Sequence, residues 1–304
     1  MSKILKVSRP SDYSSWVGQS DPHELVSVIN YSEVSPVRYS LNNYDVYGLF
    51  LQGSGGPELV YGAGKYDYDE GTLICVAPGQ LGGREDDGES VVMNGWAVLF
   101  HPDILQGTGL EKDIKNFTFF DYSVNEALHM STEERDVMIS IIRQLETELK
   151  YPADAMQNRI IAGFINLLLR YALRFYNRQF ETRTVVNTDI LSKFETLTKE
   201  YFDSNQQASN GLPTVQYFSK QLCMSPNYLS DVIKRTTGET ANRYIKRHIV
   251  QLAKNKLIGG MNCSQVAYSL GFEYPQHFTR MFKNMTGVTP TEYRAERVKK
   301  NSLA

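Results

Sequence analysis

The chain has 304 residues, 41% of them hydrophobic and 22% charged, with a formal net charge of −2. That length accommodates two domains with separate cores, and the composition is that of a soluble globular protein. Three scattered cysteines, Cys75, Cys223 and Cys263, lack any CxxC spacing and argue against a disulfide scaffold, which fits a reduced, cytoplasmic setting.

Charge is unevenly divided along the chain. Residues 206–304 carry 14 Lys+Arg against 5 Asp+Glu, whereas residues 1–205 carry 18 against 29. A basic C-terminal part beside an acidic remainder suggests a polyanion-binding module joined to something different. Residues 1–10 carry charge without an apolar run, so no signal peptide is expected. The most apolar stretch, residues 160–173, is too short for a bilayer and contains Asn166 and Arg170, so no membrane span is expected either.

Residues 25–120 read as short strands between turns. The segments 46–51, 72–76 and 91–100 are rich in β-branched, aromatic and aliphatic side chains. Gly and Pro clusters at 53–57, 62–64, 78–79 and 82–83 punctuate them, which suggests a barrel or sandwich. The glycines of 53–64 are better read as hairpin turns than as a phosphate loop, because no GK[ST] follows. Asp69, Glu70, Glu85, Asp86, Asp87 and Glu89 lie among glycines and read as solvated loops, not an acid–base pair. Up to residue 120 the only histidines are His23 and His101, so a clustered metal site lacks its ligands. No catalytic constellation, cofactor or metal is expected. Tyr44, Tyr47, Phe50, Trp96 and Phe100 are candidates to line an apolar pocket, although alternating strand aromatics are more often core.

Helical spacing begins at Ser131-Thr-Glu-Glu134, a capping-box sequence that opens a helix to about Lys150. A second helix is predicted over 154–180, with an apolar stripe broader than one packed face needs. Ile161, Leu168 and Phe175 are its candidate dimer seam, and packing onto the strand domain is the alternative. The polar residues 181–187 then link to a third helix over 190–202, and 203–211 (DSNQQASNG) read as an interdomain linker.

The C-terminal part repeats a pattern at forty-nine residues. SPNYLSDVIKRTTGET at 225–240 aligns with YPQHFTRMFKNMTGVT at 274–289, matching Pro226 with Pro275, Lys234 with Lys283 and Gly238 with Gly287. Each copy follows a short helical pattern, at 217–222 and 266–270, giving two helix-turn-helix units. Ser225 caps the first reading helix, Pro226 occupies its first turn and Gly238 stops it. Asn262 and Gln265 make a capping-box-like start, and Thr289 to Glu292 caps a final helix. Asn227, Ser230, Asp231 and Lys234 fall on one outward face, and Gln276, Thr279, Arg280 and Lys283 on the other. His277 and Met281 are expected inward with Phe278 and Phe282; Phe272 is expected in the core, and Cys223 and Cys263 are expected to be small buried residues. Between the units, residues 240–258 read as a single helix of roughly 28 Å, near the spacing of about 34 Å between successive half-sites.

Residues 213–294 resemble the DNA-binding domain of the AraC/XylS family of transcription regulators. The likeness rests on the 225–238 run, Tyr244-Ile-Lys-Arg247, Val266-Ala-Tyr-Ser-Leu-Gly-Phe272, His277-Phe-Thr-Arg-Met-Phe-Lys283, Gly287-Val-Thr-Pro290 and Tyr293-Arg294. It implies that Asn227, Ser230 and Asp231 read one groove of double-stranded DNA and Gln276, Thr279 and Arg280 the other, with Lys234 and Lys283 on phosphates. Asp231 departs from the basic residue of many relatives, so a cytosine contact or an internal ion pair is implied there instead. More weakly, GTLICVAPG at 71–79 resembles the strand and turn of cupin barrels.

The expected fold class is multidomain α and β: a cupin-like β-barrel over 1–130, a helical dimerisation segment over 131–205 and an all-α tandem helix-turn-helix over 206–304. The expected function is a sequence-specific DNA-binding transcription regulator, homodimeric and responsive to an unidentified small-molecule effector, with RNA polymerase a further candidate partner. The alternatives are a cupin-type enzyme fused to a DNA-targeting module and a scaffold that only dimerises.

Overall fold

The computed structural model describes residues 4–53 and 71–301. Contacts divide the chain into two compact units, Met1–Thr182 and Arg183–Ala304.

The first unit holds ten strands among its described residues: β1 (Leu5–Val7), β2 (Val26–Asn30), β3 (Val37–Arg38), β4 (Leu41–Tyr44), β5 (Tyr47–Gln52), β6 (Thr72–Val76), β7 (Gln80–Gly83), β8 (Ser90–Val91), β9 (Gly95–Phe100) and β10 (Leu128–His129). Five of them form the main sheet in the order β10-β6-β5-β9-β2, antiparallel throughout. Its centre is fixed by apolar register: Leu49 of β5 lies opposite Cys75 of β6 and Val98 of β9. β6 is buried along its whole length, and β9 from Trp96 to Phe100, so both read as continuous apolar runs, as expected of strands covered on two faces. Smaller sheets pair β1-β4-β7 and β3-β8. The expected closed barrel is not seen among the described residues. β10 and β2, the edges of the main sheet, pair with no strand of the smaller sheets, so the hydrogen-bond circuit stays open.

Helix α1 (Pro10–Trp16) packs on β1 and β2, and α2 (Leu110–Asp113) follows β9. α3 (Thr132–Leu149) starts at the expected capping box: the Ser131 hydroxyl accepts from Glu134 N at 3.3 Å, and Glu134 Oε2 accepts from Ser131 N at 3.1 Å. α4 (Gln157–Thr182) packs against α3 and β10. Its C-terminal half is held there by polar contacts. Gln179 accepts from His129 N at 2.7 Å, and Arg178 reaches both Glu134 (2.7 Å) and the His129 carbonyl (2.7 Å).

The candidate dimer residues need correction. Ile161 and Leu168 are fully buried and Phe175 nearly so, within the core of the first unit. The helix is apolar around more than one face, and the face chosen from the sequence is the one that α3 and β10 cover. The apolar residues α4 leaves outside are Ile160 (40% exposed) and Leu167 (42%), flanked by half-buried Phe164 and Tyr171.

The segment expected as 131–205 is divided by the structure. α5 (Thr184–Asp203) belongs to the second unit and begins six residues before its predicted start at 190, through residues expected to form a polar link. The helix runs through Thr184, Val185 and Val186 despite their weak helix propensity, and Asn187 is buried within this added turn. The expected linker at 203–211 is not a free linker. It contains α6 (Gln207–Asn210), and Gln207 is buried.

The acidic run Glu85, Asp86, Asp87 and Glu89 is an exposed loop, with Asp86 near Arg38 (3.6 Å) and Asp87 on Arg84 (2.7 Å). Asp69, Glu70 and the turns expected from 54 to 64 lie outside the described residues.

Gly95 opens β9 at φ +107°, and a Cβ there would sit 2.1 Å from the Leu51 carbonyl oxygen. Gly95→Ala is expected to destabilise the first unit by about 2–3 kcal/mol, combining backbone strain with displacement of a sheet strand. Urea unfolding should show a lower midpoint at constant slope; an unchanged midpoint would contradict the register described here.

Candidate nucleic-acid interface

The second unit continues with α7 (Val215–Gln221), α8 (Pro226–Thr237), α9 (Ala241–Ile258), α10 (Cys263–Ser269), α11 (Pro275–Thr286) and α12 (Pro290–Asn301). α7 with α8, and α10 with α11, form the two predicted helix-turn-helix units. Their boundaries follow local chemistry. Thr214 caps α7 by accepting from Tyr217 N at 3.1 Å, and Ser225 caps α8 by accepting from Tyr228 N at 3.2 Å. Asn262 and Gln265 form the reciprocal box at α10, and Thr289 and Glu292 satisfy each other's backbone N–H at α12. Gly238 and Gly287 end the reading helices at φ +80° and +84°, each donating its N–H to the carbonyl of a lysine, Lys234 or Lys283, at 2.8 Å.

The turns differ between copies. The second is one residue longer, and its reading helix starts at Tyr274 without a side-chain cap. Gly271 takes φ +87° there, and a Cβ would also meet the Gln207 carbonyl oxygen of α6 at 2.8 Å. In the first turn a non-glycine, Cys223, takes φ +54°. Cys223 is exposed and Cys263 half-buried, so the expectation that both are buried is corrected.

α9 is the support for both units. It buries Ile245, Ile249, Val250, Ala253 and Leu257, against which α8, α10, α11 and α12 pack. Tyr228, Leu229, Val232 and Ile233 bury one face of α8, and Phe278 and Phe282 one face of α11. The opposite faces carry the predicted residues. Lys234, Gln276, Arg280 and Lys283 are exposed, and Asn227, Ser230, Asp231 and Thr279 are half-buried. The Thr279 hydroxyl donates to the Pro275 carbonyl at 3.0 Å. His277, expected to be packed, is exposed beside the Tyr274 ring at 5.5 Å.

Part of the basic charge on α9 is neutralised internally. Glu239 pairs with Arg247 at 2.7 Å and with Arg243 at 3.8 Å. Arg247 also lies 4.5 Å over the Tyr244 ring. The Tyr244 hydroxyl donates to Glu195 of α5 at 2.6 Å. Burial and that carboxylate push its pKa up to about 12. Charge counting on the sequence could not show which arginines have a carboxylate beside them. Among the described residues, no three of His, Cys, Asp and Glu are grouped as metal ligands, and no helix is long and apolar enough to cross a membrane.

A helix-turn-helix domain model matches residues 218–296. The chain is 36% identical over 76 residues to the uncharacterized transcriptional regulatory protein YesN of Bacillus subtilis (strain 168), covering 24% of this chain and 21% of that protein. It is 31% identical over 85 residues to the uncharacterized HTH-type transcriptional regulator YtdP of the same organism, covering 28% and 11%. A longer similarity, 22% identity over 245 residues, covers 78% of this chain and 88% of the probable transcriptional regulator LumQ of Photobacterium leiognathi. The chain thus spans about a fifth or less of the lengths of YesN and YtdP.

His248, half-buried against Phe202, has its pKa lowered by burial first; nearby Arg247 adds to the lowering and Asp203 opposes it. A depressed folded-state pKa means that the unfolded chain takes up the proton first, so stability falls as pH drops below the ordinary histidine value of 6.5. The unfolding midpoint is expected to decline between about pH 7 and pH 5, more in the wild type than in His248→Gln. Parallel pH profiles for the two proteins would contradict this assignment.

Proposed function

We propose that this chain, whose C-terminal domain is a DNA-binding helix-turn-helix domain of the AraC type, is a sequence-specific transcription regulator that reads two unlike half-sites. The observation that carries the reading is the placement of α8 and α11 on one helix, α9, with different side chains facing outward from each. The 18 residues of α9 rise about 27 Å, close enough to the roughly 34 Å of a DNA turn for both helices to enter successive major grooves on one face.

The outward chemistry suggests distinct roles. Arg280 suits bidentate pairing with guanine and Gln276 with adenine, while the Thr279 methyl suits the thymine methyl. Asn227, Ser230 and Asp231 would read the other half-site, where the Asp231 carboxylate can accept from a cytosine amino group. Lys234 and Lys283 would neutralise phosphates. On sites selected from random DNA, Arg280→Ala is expected to weaken binding by about 1–3 kcal/mol and to relax one base position, with wild-type affinity falling steeply as salt rises. An unchanged site preference in a mobility-shift titration would remove Arg280 from base reading, and a flat salt response would count against the whole reading.

The first unit is assigned the regulatory part. A small-molecule effector bound within its sheets would bias the DNA-bound state. The exposed stripe Ile160–Leu167 on α4, with Phe164 and Tyr171, is the face on which a second copy would dimerise. Leu167→Glu is expected to convert a dimer to a monomer in analytical ultracentrifugation without loss of helix. A wild-type monomer, or a dimeric variant, would remove this interface.

A further inference from the structure

On one face of a B-form duplex, a minor groove lies between two successive major grooves. A module that places α8 and α11 in successive major grooves therefore carries α9 across the minor groove between them. The 18 residues of α9 have their midpoint between Ile249 and Val250, and Lys246 lies about one turn before it.

Beside Lys246 the second unit has a cleft of about 570 Å³. α9 contributes Lys246 and Ile249, α11 contributes His277, Arg280 and Met281, and Leu212, just ahead of α7, borders it from the side of the first helix-turn-helix. The cleft thus lies between the two reading units, and through exposed Arg280 it is continuous with the outward face of α11. The charged side chains that line it are Lys246 and Arg280; among the described residues no carboxylate lines it. Ile249 is buried and Met281 half-buried, so the floor offers Lys246 no counter-charge.

The five Lys and Arg residues of α9 are not equivalent. Arg247 is held by Glu239 at 2.7 Å, and Arg243 lies 3.8 Å from the same carboxylate. Lys254 lies over the Tyr293 ring at 5.5 Å, and Lys256 is half-buried near the far end of the helix. Lys246 is exposed, pairs with no carboxylate among the described residues, and alone of the five lines the cleft. An ammonium on a flexible stem is compact enough for a groove about 6 Å wide. A·T-rich minor grooves are the narrowest and carry the most negative potential, and they lack the guanine amino group that projects into the groove at G·C pairs.

Resting on the reading of two half-sites, we propose that Lys246 enters the minor groove midway between them, so that the module reads the centre of its DNA site by groove width and potential and favours A·T pairs there. The test uses the full-length protein and a duplex selected from random DNA, with both half-sites kept and the base pairs midway between them varied. A·T centres should bind at least about fivefold more tightly than G·C centres. Inosine·cytosine centres should recover most of that gain, because inosine lacks the guanine 2-amino group but keeps the major-groove edge of guanine. Lys246→Gln should bring all the centres within about twofold of one another, whereas Lys246→Arg and Lys254→Gln should each keep the wild-type preference. Equal wild-type binding to A·T and G·C centres would overturn the proposal, as would inosine centres that behave like guanine. A Lys246→Gln loss equal at every centre would place Lys246 on a phosphate and overturn it too, and so would a Lys246→Gln that keeps the wild-type ratio. The wild-type measurements need no variant and stand should Lys246→Gln fail to fold. A duplex bound through both half-sites but indifferent to its centre removes this inference alone, whereas failure to select any preferred duplex removes the regulator reading itself.

Discussion

The second unit depends on the burial of one side of α9. Ile245, Ile249, Val250 and Leu257 each remove an aliphatic side chain from water, worth roughly 1.5–3 kcal/mol apiece. Ala253, at the same interface, allows close approach. The partners of that side come from both helix-turn-helix units, so neither unit buries its core without α9. A helix is stiff over this length, and its rise therefore sets the distance between two reading helices that share no direct chain connection other than through it. Tyr244 extends the same helix toward α5 through Phe194 (5.4 Å between ring centroids) and Glu195. α5 thereby becomes a structural member of the reading domain.

Electrostatics refine what this support can do. The excess of basic residues after residue 206 is real, but it is not all presented to a polyanion. Glu239 holds Arg247 of α9 at 2.7 Å, and an arginine paired that closely must give up its partner to bind phosphate, whereas Arg243, 3.8 Å from the same carboxylate and 69% exposed, is only loosely held. Lys234, Arg280 and Lys283 lie outside that pairing with Glu239 and stand exposed on the reading helices. The two copies also differ where they meet solvent. Beside a lysine common to both, α8 offers the short, half-buried Asn227, Ser230 and Asp231, and α11 offers exposed Gln276 and Arg280 with half-buried Thr279, so the same fold carries two different outward surfaces.

The sequence was most legible where the cause is local. Ser131 with Glu134, Asn262 with Gln265 and Thr289 with Glu292 satisfy backbone groups within one turn, so spacing alone identifies them. Gly238 and Gly287 stop their helices for a reason contained in their own φ. Legibility was poorer where a partner distant in sequence decides. Of the five aromatics considered for a pocket, Tyr44 and Phe50 line a small cavity of the first unit. Tyr47 and Phe100 instead stack on each other at 5.2 Å, and Tyr47 also meets Phe120 at 4.9 Å. Strand alternation separates Phe50 from Tyr47, but it does not say which side of the sheet holds the cavity.

By itself, then, the sequence determined the two reading units, their caps and stops, and the unlike residues on their outward faces, because each follows from helical periodicity and from bonds spanning a few residues. Tertiary structure alone decided that Ile161, Leu168 and Phe175 lie in the core while Ile160 and Leu167 remain outside. It also decided that α5 and the 203–211 segment join the reading domain, and that Arg243 and Arg247 turn toward Glu239. These outcomes share one physical reason. An apolar face or a charge is equally satisfied by several partners, and only the packing of distant segments selects which one it meets.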